Sequence, residues 1–418
     1  LAVLLRLREA GHVAYFAGGS VRDLLLGAEP KDFDVATDAP PQRVRELFSN
    51  TQAVGASFGV ILVRHRRSQI EVATFRAESG YDDGRHPSEV HFTNADQDAK
   101  RRDFTINGLF YDPVTRQVID YVGGQADLQN RLIRAIGNPA ERFDEDSLRL
   151  LRAVRFSARL GFSIEPATAA AIVAHAPQLK RISPERIAEE LRIMLTPPTR
   201  VAAWRMLWEL GLLPVVMRFL HIKERPRDSD RPFLFDRVDP GKPVAFGLAV
   251  ASAVVCYRMQ VDVELTDPRA LLSTPTVNSA LRAMRQALKI SNEESDQMSG
   301  TLSGLEPLLR DEPPRVAVMK RFLARPTAPR SRSLLSALAS VGVQKDRAQW
   351  LERELSELEE TEFAPAPLID GDVLTSLGMQ PGPMFKRILN EVYDAQLEGR
   401  VKSREEAIAM AKRIAGCE

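Results

Sequence analysis

Cysteine is almost absent from this chain of 418 residues: only Cys256 and Cys417 occur, too few and too far apart for a disulfide framework. A chain that does without disulfides suits a reducing compartment, so the expected location is cytoplasmic. Histidine is also scarce. Its six copies show neither metal-ligand spacing nor a His-Asp dipeptide, which argues against a zinc or phosphohydrolase centre. Long apolar runs are missing as well. The longest, VAFGLAVASAVVCY at 244–257, falls short of the ~20 residues that cross a bilayer. The start, LAVLLRLREAGH, acquires charge within one turn and reads as an amphipathic helix, not a signal peptide. Nor is there an excess of either charge: 57 basic against 56 acidic residues leave +1. Contact with nucleic acid must therefore come from local patches.

What is present changes character along the chain. From 13 to about 136, VAYFAGG, KDFDVAT, FGVILVRH, QIEVATFR and QVIDYVGG read as strands, with VRDLLLG and PPQRVRELF as short helices between the first of them. Beyond Asn138-Pro139 the apolar residues recur at three and four, as in DEDSLRLLRAVRFSARLGF and PERIAEELRIMLT. Residues 223–243 are polar and Pro-rich and read as a linker. The expected fold class is α+β, a mixed-sheet head with helices followed by an all-α remainder. The length itself suggests two to four domains.

Chemistry concentrates first at 18–38. GGSVRDLLLG reads as a strand-to-helix turn in which Gly18 and Gly19 admit a phosphate close to the backbone, Ser20 caps the helix, and Arg22 and Asp23 occupy its first turn. Taken alone it could equally be an ordinary turn, and it lacks the third glycine of a dinucleotide fingerprint. The following KDFDVAT sets Asp32 and Asp34 two apart. A strand's period places both on one face, about 6–7 Å apart along the backbone, with Phe33 and Val35 turned toward a core. Two such acids suit a pair of divalent ions held against a triphosphate. Glu71 in QIEVATFR is the candidate third carboxylate.

Two further clusters are polar in a useful way. RRDFTING, 101–108, gathers Arg101, Arg102, Asp103 and Asn107: an Asp accepts ribose hydroxyls, Arg binds phosphate, and Asn meets polar edges. In RFDEDSLRLLRAVRF, Glu145 and Asp146 read as a helix's first turn, with Asp146 and Arg149 on one face at i,i+3. Side by side, a carboxylate and a guanidinium imitate a base-pairing edge. Arg152, Arg155 and Arg159 extend a basic stripe. Each cluster alone also fits a solvated turn or a surface salt bridge.

Together, in this order, GGSVRDLLLG with DFD, RRDFTIN, EDSLR and ISPERIAEE resemble the class II tRNA nucleotidyltransferase and bacterial poly(A) polymerase family, within the polymerase β superfamily. The likeness runs from about 14 to 190. It implies that Asp32 and Asp34 ligate two Mg²⁺ ions, with Glu71 as a third catalytic acid. Gly18, Gly19, Ser20 and Arg22 would meet the triphosphate, Arg102, Asp103 and Asn107 the ribose and its neighbours, and Asp146 and Arg149, with Arg152 beside them, the incoming base. Arg186 would brace the neck helix. The substrates would be CTP and ATP and the partner tRNA, bound at its 3′ end and upper stem, with no membrane and no protein partner. The implied layout is a head at 1–136, a neck at 137–199, a body at 200–350 and a tail at 351–418.

Within the family, Ser57-Phe58-Gly59 is closer to the CCA-adding type than to the basic Arg-Arg-Phe of poly(A) polymerases. The polar segment 75–92 resembles the flexible element tied to switching from C to A, and 76–89 is expected to be mobile. The final segment, from Leu368 on, resembles the tail of tRNA-maturing members. Poly(A) polymerase and A-adding activities stay open as alternatives. So does a non-catalytic RNA-binding protein, although such a protein is expected to have lost one of the two acids. Residues 313–345 carry Arg315, Lys320, Arg321, Arg325, Arg330, Arg332 and Lys345 and no acid, and are the candidate RNA track.

Overall fold

A computed structural model describes residues 1–30, 32–55, 59–65, 68–80, 89–218, 234–261, 272 and 274–416. The readings that rest on Ser57-Phe58, on 81–88, on 223–233 and on Cys417 lie outside the described residues. By its contacts the chain divides into two units, Leu1–Met194 with Thr199–Arg218, and Leu195–Pro198 with Phe219–Glu418.

The first unit opens with helix α1 (Ala2–Glu9) and builds a seven-stranded sheet in the order β3-β4-β5-β2-β1-β8-β9. Its strands are β1 (Ala14–Ala17), β2 (Asp34–Thr37), β3 (Thr51–Gly55), β4 (Val60–His65), β5 (Ser68–Thr74), β8 (Leu109–Asp112) and β9 (Gln117–Asp120). A separate two-stranded ribbon pairs β6 (Arg76–Ser79) with β7 (Glu89–Phe92). Both ends of the segment expected as a loop are therefore strand. Helices α2 (Gly19–Leu25), α3 (Pro41–Leu47) and α4 (Ala95–Lys100) interleave with the strands. On one face of the sheet Ala17, Ala36, Phe75 and Phe110 pack with Ala95 and Ala99 of α4. Strand β2 runs parallel to β5, with Val35 opposite Val72, and antiparallel to β1, with Ala17 opposite Asp34. One rung before Val35 and Val72, Asp34 lies beside Glu71. Side chains alternate, so Asp34 emerges on the face that carries Ala36 and α4.

Three details depart from the sequence reading. Strand β2 starts at Asp34, so Asp32 stands in the lead-in and not within the strand. Phe33 is 37% exposed and meets Phe16 with ring centroids 5.0 Å apart, so it lies at the surface, not in a core. Strands β3, β7 and β8 were not read as strands, because their short runs sit among polar residues and take their pairing from neighbours distant in sequence.

After α5 (Gly124–Gln129) the first unit is mainly helical: α6 (Pro139–Glu145), α7 (Leu148–Leu160), α8 (Pro166–His175), α9 (Pro184–Leu195) and α10 (Arg200–Glu209). The helical reading of DEDSLRLLRAVRFSARLGF, 144–162, is interrupted. Asp146 is extended (φ −146°, ψ 102°) and closes α6, and α7 begins at Leu148. The Asp146 carboxylate accepts from the Leu148 N–H at 3.0 Å, which satisfies the first free donor of the new helix.

Among its described residues, the second unit's regular elements are helices. Asn292–Ser303 starts with a capping box on Ser291 and Glu294. Val316–Leu323, Ala328–Ser340 and Lys345–Glu359 follow. Near the end, Gly371–Ser376, Pro383–Leu397 and Arg404–Ala415 close a small core of Ile369, Leu374, Ile388, Val392 and Ala407. Among the described residues no helix is long and apolar enough to cross a membrane.

Candidate functional site

A cleft of about 720 Å³ in the first unit is lined by Gly18, Gly19, Arg22, Asp34, Arg102, Asp103, Asn107, Asp146, Arg149 and Arg152. Residues from four sequence motifs thus meet around one space. Arg76, Glu78, Arg101, Arg155, Phe156 and Arg186 complete much of the lining. Of the expected site residues, Ser20, Asp32 and Glu71 do not line it.

Gly18 is required by conformation and by space. Its φ of +72° lies where side chains are strained, and a Cβ there would come within 2.9 Å of an Arg102 guanidinium nitrogen. Gly18 is also the residue that caps α2. Ser20 is not the cap: it lies inside the helix, 5% exposed, and its hydroxyl donates to the Ala17 carbonyl at 3.1 Å. Arg22, one turn in, is buried and donates to Asn107 Oδ1 at 2.7 Å and to Asp23 Oδ1 at 2.8 Å. Burial lowers the Arg22 pKa, and Asp23 opposes that shift.

The RRDFTING segment is an ordered hub, not a solvated turn. Asp98 on α4 is buried and accepts from Arg101 at 2.8 Å and from Arg102 at 3.0 Å. Burial would raise its carboxyl, but Arg102 and Arg101 outweigh that and hold it below the usual range. Asp103 is fully engaged. Oδ1 accepts from the Phe104 N–H at 2.8 Å and from Asn107 Nδ2 at 2.9 Å, while Oδ2 meets Arg152 at 2.6 Å. Burial pushes this carboxyl up, yet Arg152 and the bond from Asn107 bring it down to about 2.

The helix break at Asp146 sets the next pair. Asp146 Oδ2 accepts from Arg186 at 2.9 Å, a bond that ties α9 to the break between α6 and α7. Arg149 is buried and donates to Glu145 Oε2 at 2.6 Å and to the Arg142 carbonyl at 2.8 Å. Its ion-pair partner is thus Glu145, four residues back, and not Asp146. Arg142 reaches the carbonyl of Arg102 at 2.8 Å and that of Arg101, and pairs with Glu145. These bonds fasten α6 and α7 to the 101–103 turn. Sequence reading missed Arg142, Glu78 and Arg76. Only the i,i+3 and i,i+4 spacing of Arg142, Glu145 and Arg149 hinted at the first.

The cleft's electrostatics are lopsided. Among the described residues eight arginines and four acids line it, a surplus suited to a polyphosphate. Asp34 stands apart: burial raises its carboxyl, Glu71 adds to that rise, Arg102 opposes it and Asp32 adds again. Three acids within electrostatic reach of one another are what a cation would relieve. Among the described residues no group of three or more acidic, His or Cys side chains is already gathered as a metal cage.

Comparison with known proteins bears on this arrangement. Residues 14–134 match the family described as "Poly A polymerase head domain", and 161–223 that described as "Probable RNA and SrmB- binding site of polymerase A". The chain is 44% identical over 225 residues to a CCA-adding enzyme of Lactobacillus johnsonii, a match covering 54% of this chain and about half (56%) of that relative's length. Against the CCA-adding enzyme of Geobacillus stearothermophilus it is 32% identical over 417 residues, 98% of this chain and 94% of the relative. The crystal structure of a Bacillus stearothermophilus CCA-adding enzyme in complex with CTP superposes with a TM-score of 0.70 at 29% identity, covering 99% of this chain and 96% of that one. A Thermotoga maritima CCA-adding enzyme complexed with tRNA shares the fold, with a TM-score of 0.63 at 18% identity over 99% of this chain and 93% of that one. By near-full-length identity, and with motif residues from sheet and helices meeting in one cleft, the chain belongs to the CCA-adding enzyme family.

Proposed function

We propose that this cleft binds CTP and ATP in turn and directs their α-phosphates to the 3′ hydroxyl of tRNA, which forms the new phosphodiester as the α–β bond breaks and pyrophosphate leaves, completing the CCA end without a nucleic-acid template. The observation that carries the reading is the meeting of Asp34, the 101–107 hub and the Asp146–Arg149 pair around one basic space.

Asp32 and Asp34 are the residues that would hold Mg²⁺, with Glu71 beside them. Burial, with the repulsion of Glu71 and Asp32 added to it, raises the Asp34 carboxyl, which fits such a ligand set, and bound ions would supply charge stabilisation at the reacting phosphate. The remaining roles belong to the chain itself. Arg22, Arg102 and Arg152 orient the triphosphate, Gly18 and Gly19 leave it room, and Ser20 supports the turn from within. Asp103 with Asn107 stands at the ribose position. Because its oxygens are taken in this state, ribose contact at Asp103 requires Arg152 to yield a bond. Arg149, held by Glu145, donates to a base's ring nitrogen or carbonyl, and Asp146 accepts from the exocyclic amine that C and A share and U lacks. Excluding G needs the whole donor-acceptor pattern.

The layout that goes with this reading is a head at 1–136, a neck at 137–199, a body at 200–350 and a tail at 351–418, working in the cytoplasm. The purified protein should be given three substrates with Mg²⁺, CTP and ATP: tRNA lacking the whole CCA end, tRNA lacking only the terminal A, and a poly(A) primer. Both tRNAs should be completed and then left alone. Long A tails on the primer would make it a poly(A) polymerase. Extension of only the tRNA that ends in CC would make it an A-adding enzyme, and no transfer at all would favour a non-catalytic RNA-binding protein.

A further inference from the structure

Phe156 is an apolar residue in a cleft otherwise dominated by charge. It sits on α7, 6% exposed, and its ring is supported edge-on by Phe104 with centroids 5.9 Å apart. Three guanidinium carbons surround it: Arg155 at 4.7 Å from the ring centroid, Arg22 at 5.2 Å and Arg152 at 5.4 Å. Arg22 comes from the helix after β1, and the other two come from α7. Each also has one acid: Asp23 for Arg22 at 2.6 Å, Asp103 for Arg152 at 2.6 Å, and Glu190 for Arg155 at 3.1 Å. The last contact lacks hydrogen-bond geometry at both atoms, so Arg155 is the least tied by its carboxylate.

Three like charges gathered around one point repel, and one acid at each guanidinium offsets part of that repulsion. An aromatic face attracts a cation through its quadrupole and occupies none of its N–H donors. A ring therefore gathers guanidiniums while leaving their edges for phosphate oxygens, which a fourth carboxylate would not do. We infer that Phe156 is a positioning residue whose π face holds Arg22, Arg152 and Arg155 together as a polyphosphate clamp, joining the sheet's arginine to those of α7. The clamp rests on the nucleotide-binding reading of the cleft, but it is a claim about polyphosphate and not about base or RNA.

The test places 4-fluoro-, 3,5-difluoro- and 3,4,5-trifluorophenylalanine at position 156, which drains the π face in steps at nearly constant shape. The probe is inorganic triphosphate, followed by calorimetry, with the unfolding midpoint recorded for each protein. Affinity should weaken stepwise, by roughly tenfold across the series, while the midpoint holds. With CTP and ATP the Michaelis constants should rise together and the choice between them should not change. Phe156→Leu should weaken triphosphate at least as much as the trifluoro ring. A flat fluorine series overturns the clamp, including the case in which Phe156→Leu alone weakens binding, since that is loss of packing only. An unmodified protein that transfers no nucleotide would overturn the proposed reaction, whereas the triphosphate series would still decide the clamp.

Discussion

Arginine serves two opposite purposes in the two units. In the first, arginines outnumber acids around a concave space, and several are buried: Arg22 is 3% exposed and Arg149 8%. In the second, the acid-free run at 313–345 is answered by acids from elsewhere in the chain. Arg321 meets Asp394 at 2.6 Å and lies 4.9 Å over the Tyr393 ring, and Arg315 reaches Asp394 and Glu398 at 3.6 Å. Arg332 pairs with Glu352 and, at 2.6 Å, with Glu359. The bond it donates to Glu352, ahead of the cost of burial, raises its pKa. A basic run in sequence is therefore not the same thing as a basic surface. What matters is whether the fold supplies acid partners, as it does for Arg315, Arg321 and Arg332, or leaves a surplus facing a cavity.

The sharpest way to break the contrast is at the cleft's acids. Asp34→Ala should slow nucleotide transfer by on the order of a thousandfold or more, measured as single-turnover extension of tRNA, because it removes one of the two acids proposed to hold cations at the reacting phosphate. Turnover within tenfold of the unmodified protein would remove Asp34 from the chemistry. Asp146→Ala should act less on rate than on choice. Losing the acceptor for the exocyclic amine leaves a buried group unpaired, at about 1–3 kcal/mol or roughly tenfold and more in misincorporation of U and G, read by sequencing the products.

Asp103 gives a pH test. Its carboxyl is held at about 2 against an ordinary 3.8, chiefly by Arg152 and Asn107 working against burial. A depressed pKa means that its contribution, about 2 kcal/mol, is present above pH 4 and is lost as pH falls toward 2. Asp103→Asn should lose that stability at pH 7 and show a flatter stability profile between pH 4 and 2, checked by urea unfolding at both ends. Equal slopes for the two proteins would mean the pair adds nothing.

The smallest effect sharpens the second unit. Arg325 is exposed and Arg330 half-buried, whereas Arg332 is committed to two glutamates. Replacing Arg325 and Arg330 with Ala should raise the tRNA Michaelis constant a few-fold and reduce the salt slope of binding by about two. Arg332→Ala should leave tRNA binding alone and cost at most about 1 kcal/mol of stability. Equal tRNA effects from both replacements would contradict the distinction.

Much of this was legible in the residues. The alternation before 136 and the three- and four-residue spacing after it described an α+β head and a helical remainder, and the motifs between Gly18 and Arg186 named most of the cleft's lining. Short strands such as Leu109–Asp112 were not legible, since a strand of four residues takes its identity from the strand it pairs with. The break at Asp146 was hidden for a related reason. An acid suits both a first helical turn and a cap between two helices, and only φ and ψ tell these apart.

By itself the sequence determined which chemical groups are available and at what spacing: two acids flanking Phe33, a glycine where φ must be positive, and arginines every three or four residues along α7. Those are properties of short segments, set by backbone geometry within a few residues of each other. Tertiary structure alone decided which groups face one another. It paired Arg149 with Glu145, Arg152 with Asp103 and Asp146 with Arg186, and it set Arg22 against a ring more than a hundred residues away. Electrostatic attraction falls with distance through space, not along the chain, and chain folding creates those distances.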